Sequence, residues 1–288
     1  WEDFWTEASP VLKAIRNNTA PVSAISKGVD KWLVAFNDAR KGRNRATVTW
    51  SANFSTRCKD HAEYLKANKS ERGPAAEHTQ KVDLGGSYST SLFAQMAVVA
   101  TGAKISGAEK PFKQWINIPG YRDLFINHTL LSIGMYVEKD ILVINATSGI
   151  GSPKDPQSGF DCFPPRNNTG KIHDRSVPVA LLGPEVEKLL AKHGRAGQKT
   201  IGFPLTVHFG STGGISSRGN MSCTVQDKDG NSIEGALVYD DGEIRTTTAP
   251  GMVTFWPLDP LPKGKINFAW SIMAGGKPTT MKGGFSAK

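Results

Sequence analysis

The chain has 288 residues, 39% of them apolar and 21% charged, with a formal net charge of +9. At about 100–200 residues per domain, this length predicts two domains with a core each. No apolar stretch reaches the roughly 18 residues that a membrane span needs, so no transmembrane segment is expected. The chain starts at Trp1 rather than Met, which permits an exported protein that has lost a signal peptide.

The basic residues are spread along the chain, with one local cluster at Arg40, Lys41, Arg43 and Arg45. Such a charge favours anionic partners, and an envelope polymer or a protein is a candidate. Nucleic acid is not expected as a partner, because no basic motif interleaved with aromatic residues accompanies the charge.

Three amphipathic helices are predicted in the first half of the chain. Apolar residues at i, i+3, i+4 and i+7 indicate a helix from Gly28 to Arg40. A second helix is expected from about Ser51, as its cap, to about Asn68. A third fits Ala108–Asn117, where Pro111 is tolerated in the first turn.

A hairpin follows these helices. Residues 131, 133, 135 and 137 are apolar with period two, and the apolar run Ile141–Ile144 comes after a short polar connection. Helices that precede a hairpin, instead of alternating with strands, indicate an α+β layered domain and not a nucleotide-binding doubly wound sheet. We expect this domain to occupy residues 1–150, including an N-terminal helical extension.

The second half of the chain has a different pattern. Residues 151–198 are predicted to form a Gly/Pro-rich linker with a short helix at Pro184–His193. Residues 199–288 contain short alternating strands separated by turns such as Asp229-Gly230, Asp241-Gly242 and Pro262–Gly264. About ninety residues of this kind predict an all-β, immunoglobulin-like sandwich.

The three cysteines are Cys58, Cys162 and Cys223, and none lies in a CxxC pair. One must stay unpaired whatever the others do. We favour three small buried apolar groups over a single disulfide, and the sequence leaves the pairing open.

Motifs for common chemistry are missing. The chain has no G-x-S-x-G, S-x-x-K, H-E-x-x-H, G-x-G-x-x-G or P-loop motif, so no catalytic residue is assigned and no cofactor is expected. The segment from Asp227 to Asn231 resembles a fragment of a calcium loop. Its glycine comes too early and no Glu stands at the twelfth position, so we predict a hairpin turn.

No two of the six histidines have the close spacing of metal ligands. His61 lies on the inward face of its predicted helix, which favours a core histidine with hydrogen-bonded nitrogens over a residue that lines a pocket. His78 follows a Gly-Pro break in a polar loop, where ligands reach a side chain more easily.

Five short motifs occur in an order that is similar to a known family. They are Phe36-Asn37-x-x-Arg40, Cys58-x-x-His61-Ala62-x-Tyr64-Leu65-x-x-Asn68, His78-Thr79-Gln80, Trp115-x-x-x-Pro119-Gly120-Tyr121-Arg122 and Ile133-Gly134-Met135. Over residues 28–146 the chain thereby resembles a bacterial member of the CAP superfamily, also called SCP, which comprises cysteine-rich secretory, antigen 5 and pathogenesis-related proteins. The resemblance implies an α-β-α sandwich with a surface cleft and a secreted, periplasmic or envelope location. The last strands resemble a bacterial immunoglobulin-like repeat.

Metal-binding clefts of this family use two histidines and two acidic residues. His78 matches the first histidine, but Tyr121 stands where bacterial relatives have the second. Residues 84–107 contain no acid and leave Gln95 as the candidate there, and the acid expected after Trp115 is missing. With three departures out of four, we expect a cleft that keeps its shape and binds no metal.

The leading hypothesis is a non-enzymatic exported CAP-like protein that binds a small or extended ligand, lipids included, or a partner in its cleft. The residues expected to border this cleft are His61, His78, Gln95, Tyr121 and Arg122. One alternative is a hydrolase with His78 as general base, although no nucleophile can be named. The other is an envelope adhesion or scaffold protein that binds through its β-sandwich.

Overall fold

A computed structural model gives the fold of the chain. It describes residues 29–43, 45–72, 80–86, 97–101, 109–127, 129–146, 149, 161–166, 172–182, 184–208, 221–239, 252–274 and 277–288. The chain divides into two compact units. Unit 1 consists of Trp1–Gln114 and His128–Pro156, and unit 2 of Trp115–Asn127 and Gln157–Lys288.

The predicted helices of unit 1 are confirmed with small shifts in their ends. They are α1 (Val29–Lys41), α2 (Ala52–Ala67) and α3 (Glu109–Trp115). Ser51 is the cap of α2, because its hydroxyl accepts a hydrogen bond from the Phe54 amide at 3.4 Å. None of the helices among the described residues combines the length and the apolarity needed to cross a membrane.

The sheet of unit 1 contains the predicted hairpin at its centre. Its strands are β1 (Thr49–Trp50), β2 (Val98–Thr101), β3 (Ser132–Glu138) and β4 (Ile141–Asn145), in the order β1-β3-β4-β2. Helix α2 packs on β3 and β4. A Cβ on Gly134 would lie 2.4 Å from the Phe54 carbonyl carbon, so only glycine permits this close approach.

The first family motif is structural. The Asn37 side chain exchanges two hydrogen bonds with the Val48 backbone, at 2.9 and 3.0 Å. Arg40 is fully buried, and its Nε donates to the Ala46 carbonyl at 2.9 Å. These bonds fix the chain that leads into β1. Arg40 therefore does not contribute to the basic surface cluster that the sequence predicts.

Unit 2 is built from mostly antiparallel sheets, as predicted. The strands are β5 (Asp161–Phe163), β6 (Ile172–His173), β7 (Ser176–Pro178), β8 (Thr200–Gly202), β9 (Leu205–His208), β10 (Ser222–Gln226), β11 (Gly235–Tyr239), β12 (Met252–Pro257), β13 (Gly264–Ala274) and β14 (Lys277–Ala287). One sheet has the order β10-β13-β14-β6, another β11-β12-β9-β5, and β7 pairs with β8. Unit 2 also contains helices α4 (Pro119–Ile126) and α5 (Pro184–Lys192).

The division into units differs from the predicted domains in two places. Residues 115–127, expected in the first domain, group with unit 2, where Arg122 of α4 donates to the Pro204 carbonyl and the Thr206 hydroxyl. Part of the predicted linker also belongs to unit 2, since strands β5 to β7 pair with its other strands.

Two of the predicted turns lie among the described residues. Asp227 Oδ1 accepts from the amides of Asp229 and Asn231, both at 2.9 Å, and Gly230 has φ of 86°. This is the predicted turn, with one antiparallel bridge between Gln226 and Ser232, but β10 and β11 on its two sides belong to different sheets. The second turn ends at Gly264, whose φ is 116°. The predicted turn at Asp241-Gly242 lies outside the described residues.

Candidate functional site

The candidate site of unit 1 is centred on His61, which lies on the sheet-facing side of α2. Its ring is fully buried, as the apolar stripe predicted. The Gln80 side-chain nitrogen Nε2 lies 2.7 Å from His61 Nδ1, and Gln80 is buried too. An amide nitrogen is a donor, so Nδ1 accepts this hydrogen bond. The bond joins α2 to a segment 19 residues further along the chain.

This segment, residues 80–86, is held on α2 by further polar contacts. The Lys81 amide donates to the Tyr64 hydroxyl at 3.0 Å, and Asn68 Nδ2 donates to the Leu84 carbonyl at 3.2 Å. The Tyr64 ring is stacked on the His61 ring, with 6.2 Å between centroids and 12° between planes. One face of α2 and its C-terminal cap therefore position the whole segment.

An ion pair adds to these contacts. Lys81 Nζ lies 2.9 Å from Glu71 Oε1, and the Glu71 side chain is buried whereas Lys81 is half exposed. The hydrogen bond to Glu71, followed by the charge of that carboxylate, raises the pKa of Lys81. The pair thus favours the charged form of Lys81, and it links the segment to the short 3₁₀ turn that follows α2.

Segment 80–86 exposes two apolar side chains. Val82 is 75% exposed and Leu84 37% exposed. Both side chains belong to a 3₁₀ turn, Val82–Leu84, which ends at Gly85 in the left-handed conformation. The Gln80 side chain and the Lys81 amide thus bond to α2, while Val82 and Leu84 are exposed beside Asp83.

The predicted site residues are distributed over both units. His61 lies in unit 1, whereas Tyr121 and Arg122 lie in unit 2. His78 and Gln95 lie outside the described residues. Tyr121 is partly exposed and makes an edge-to-face contact with Trp115, with 5.5 Å between ring centroids.

Arg122 has an interior position, in contrast to the surface position that the sequence predicted. Its side chain is fully buried. Nε donates to the Ile116 carbonyl at 2.7 Å, and Nη1 donates to the Pro204 carbonyl and to the Thr206 hydroxyl, at 3.1 and 3.0 Å. The guanidinium also lies over the Phe163 ring. This residue joins α4 to the β-sheet of unit 2, and a ligand at the surface does not reach it.

The described residues do not form a metal site. Within these ranges, no three His, Cys, Asp or Glu side chains are grouped as metal ligands. All three cysteines are thiols outside any disulfide, and burial raises the pKa of Cys58, Cys162 and Cys223, that of Cys162 to about 11. Neutral buried thiols are poor metal ligands and poor nucleophiles.

Comparison with known proteins bears on unit 1. Residues 33–140 match the model of the cysteine-rich secretory protein family, CAP. Residues 33–140 are therefore a CAP region within the chain. The match includes α2, strand β3 and segment 80–86, so the His61–Gln80 contact lies inside the CAP region. No curated protein matches the chain.

Three solved structures are similar to parts of this chain. CopC from Methylosinus trichosporium OB3b is 12% identical over 44% of this chain and 89% of that chain, with a TM-score of 0.27. An outer surface protein from Borrelia burgdorferi is 20% identical over 39% and 85%, with a TM-score of 0.30. PcoC, a methionine-rich copper resistance protein from Escherichia coli, is 14% identical over 31% and 83%, with a TM-score of 0.23.

Sequence reasoning missed three residues of the site. Tyr64 and Gln80 occur in the family motifs but were not assigned to the site, and Glu71 was not singled out. Tyr64 could have been found, because it lies three residues after His61 on the same helix face. Gln80 and Glu71 could not, since their contacts join segments whose approach only the folded chain defines.

Proposed function

We propose that this CAP protein is an exported, non-enzymatic binding protein of the secreted, periplasmic or envelope class. Its CAP domain binds a small or extended apolar ligand, or an apolar stretch of a partner, beside segment 80–86. The observation that carries this proposal is the exposure of Val82 and Leu84 on a segment that polar contacts hold in place. An exposed apolar surface with a fixed shape is typical of a binding site.

The position of His61 favours binding over catalysis. A general base must come within hydrogen-bond reach of the proton that it removes. The His61 ring is fully buried and bonded to Gln80, so a substrate at the surface does not reach it. Tyr64, Lys81 and Glu71 likewise bond within the protein. Among the described residues, the polar groups of the site hold the segment in place.

The first experiment identifies any ligand that stays bound to the protein during purification. The chain is purified from its natural host and analysed by native mass spectrometry, before and after extraction with organic solvent. We expect an extractable adduct of lipid or similar apolar character. Intact protein at the mass of the bare chain, from several preparations, would contradict retention of a ligand.

A matched pair of variants tests the location. Val82→Glu places a charge on the outer side of segment 80–86, while Val34→Glu does the same at another exposed valine, 60% exposed on α1. With the apolar dye 1-anilinonaphthalene-8-sulfonate as probe, we expect Val82→Glu to weaken binding at least about tenfold, about 1.4 kcal/mol. We expect Val34→Glu to change it less than about twofold. Equal effects of the two variants would refute this location.

A further inference from the structure

The sheet β10-β13-β14-β6 of unit 2 has an apolar side and a polar side. Residues 266, 268, 270 and 272 of β13 are buried, and so are Met281 and Phe285 of β14. Successive residues of a strand point to opposite sides of the sheet. The opposite side therefore carries the even-numbered residues of β10, the odd-numbered residues 265–271 of β13 and the even-numbered residues 280–286 of β14. We call these residues the polar face.

The polar face is continuous and open to solvent. Its residues form rows across the three strands, such as the row of Thr224, Ala269 and Lys282, in which the two outer residues are exposed. Gly284 has no side chain, and a Cβ there would lie 3.2 Å from Asn267 Oδ1, so the Asn267 amide lies over the glycine. At about 3.3 Å per residue and about 4.8 Å between strands, the face measures roughly 20 by 10 Å. An extended chain can lie along a surface of this size.

The charges on the polar face have one sign. Lys265 and Lys282 are both exposed on it, and strands β10, β13 and β14 contain no Asp or Glu. Lys282 lies opposite Ala269, four residues along β13 from Lys265, so the two lysines are about 14 Å apart. Within the described ranges neither lysine forms an ion pair. Residues 260–288 as a whole contain five lysines and no acid.

Three acidic residues lie beyond the end of the polar face that carries the β13 lysine, and each is engaged. Asp174, which follows β6, pairs with Lys288 at 3.6 Å. Asp229 pairs with Lys228 at 2.8 Å, and Asp227 accepts hydrogen bonds from backbone amides of its own turn. These carboxylates therefore do not neutralise the two lysines of the face, and the face attracts anions.

We propose that the polar face of unit 2 binds an acidic polysaccharide, a sugar polymer with repeated carboxylate groups, as an extended chain. Lys265 and Lys282 pair with its carboxylates. Hydroxyl and amide groups of the face, such as those of Thr224 and Asn267, bond to its sugar hydroxyls. This surface lies outside the CAP region and takes a different partner from the apolar ligand, so it goes beyond the proposed function.

The composition of the polar face favours a polysaccharide over nucleic acid or a membrane. Single-stranded nucleic acids bind proteins through aromatic side chains on which the bases stack. A membrane surface takes exposed large apolar groups that insert between the lipids. The face has neither, because Phe268, Trp270 and Phe285 of the same strands belong to the opposite, buried side. Hydroxyl and amide side chains, which form most of the face, are suitable partners for sugar hydroxyls.

Binding by the full chain can be measured by biolayer interferometry on immobilised polygalacturonate and alginate, with neutral dextran as the control polymer. We expect the chain to bind both acidic polymers at about 50 mM salt and to bind at least about tenfold more weakly at about 300 mM, because salt screens exposed charges. We expect no binding to dextran, since it offers no carboxylate to the lysines.

A matched pair of double variants tests the location. Lys265→Gln with Lys282→Gln removes two charges from the polar face, whereas Lys188→Gln with Lys192→Gln removes two exposed charges from α5. Both double variants lower the net charge equally, and all four side chains are exposed, so the fold should persist. We expect the first double variant to weaken polygalacturonate binding at least about fivefold and the second less than about twofold.

Three outcomes would overturn this proposal. Equal losses in the two double variants would assign binding to net charge and not to the polar face. Failure to bind either acidic polymer at low salt, or equal binding to dextran, would exclude an acidic polysaccharide. Tighter binding to single-stranded DNA or to vesicles of anionic lipid, lost in the Lys265→Gln and Lys282→Gln double variant, would assign the face to another class of partner.

Discussion

The guanidinium carbon of Arg122 lies 4.3 Å from the centroid of the Phe163 ring, and the same side chain donates three hydrogen bonds within unit 2. Arg122→Ala leaves buried acceptors without donors and creates a cavity. We expect a loss of about 3–5 kcal/mol in the free energy of unfolding of unit 2. Thermal unfolding, followed with hydrogen exchange of β9 and β12, measures the loss and places it in unit 2.

Two further variants test whether the stability of unit 2 depends on the planar shape of the Arg122 guanidinium group. Arg122→Lys keeps the charge, but an ammonium cannot span three acceptors as a planar guanidinium does, so it should recover less than half of the loss. Arg57→Ala removes an exposed arginine from α2 and should change stability by less than about 0.5 kcal/mol. Full stability of Arg122→Lys would assign the effect to charge alone.

A second prediction concerns the continuity of the units. Residues 115–127 belong to unit 2, although they precede the 128–156 part of unit 1 in the chain. A protease site inserted between residues 151 and 160 would therefore cut the chain without freeing the second fragment. We expect both fragments to elute together in gel filtration under native conditions. Clean separation into two folded fragments would instead support the predicted boundary near residue 150.

The sequence of α4 shows why residues 115–127 were not predicted to belong to unit 2. Helix α2 and the hairpin β3–β4 carry a clear period and were predicted to within a few residues. Helix α4 has only eight residues and begins with Pro119-Gly120, so it offers little periodic signal. Its burial depends on β9, about eighty residues later, through the Arg122 contact to Thr206. Local pattern contains no information on such a contact.

The local pattern of strand β14 is also a weak predictor of its structure. It contains Pro278 and the pair Gly283-Gly284, residues that are uncommon inside strands. It forms because all eleven residues pair with β13, from Gly264↔Ala287 to Ala274↔Lys277. Tertiary pairing here overrides intrinsic propensity. For the site, helix period predicted that His61 is buried, but it could not identify Gln80 as its partner.

A third prediction concerns the contact between α2 and β3. The Ser55 hydroxyl donates to the Ser51 carbonyl at 2.7 Å and accepts from the Met135 amide at 3.0 Å, and all these groups are buried. Ser55→Ala leaves the Met135 N–H without its acceptor, which should cost about 1–3 kcal/mol in denaturant unfolding. Thr56→Ala, at the next position and exposed, should cost less than half as much. Similar losses would show that the Met135 contact is unimportant.

A fourth prediction concerns the thiols. Burial raises the pKa of Cys162 to about 11, so only about one in a thousand of its molecules is a thiolate at pH 8. Burial raises the pKa of Cys58 and Cys223 in the same direction, and the charge of Cys162 adds to the shift of Cys223. In an Ellman assay at pH 8, we expect fewer than one thiol to react rapidly before unfolding and three to react in guanidinium. Only one reactive thiol after unfolding would reveal a disulfide.

The last prediction is that the CAP region binds zinc no more tightly than a weak surface site. A zinc site generally takes three or four donors from Cys, His, Asp or Glu. The described residues contain no such group, and His78, the family's first histidine here, lies outside them. At the second histidine position stands Tyr121, a phenol whose ordinary pKa is near 10, and its ring packs on Trp115 in unit 2.

Isothermal titration calorimetry with zinc chloride measures the zinc affinity of the native chain and of His78→Ala. We expect dissociation constants weaker than about 10 µM and equal within about twofold for both proteins. Tyr121→His adds one donor and should raise affinity only modestly, because two histidines without acids still fall short of three donors. A micromolar or tighter site that disappears in His78→Ala would contradict this count and would support a metal-dependent hydrolase that uses His78.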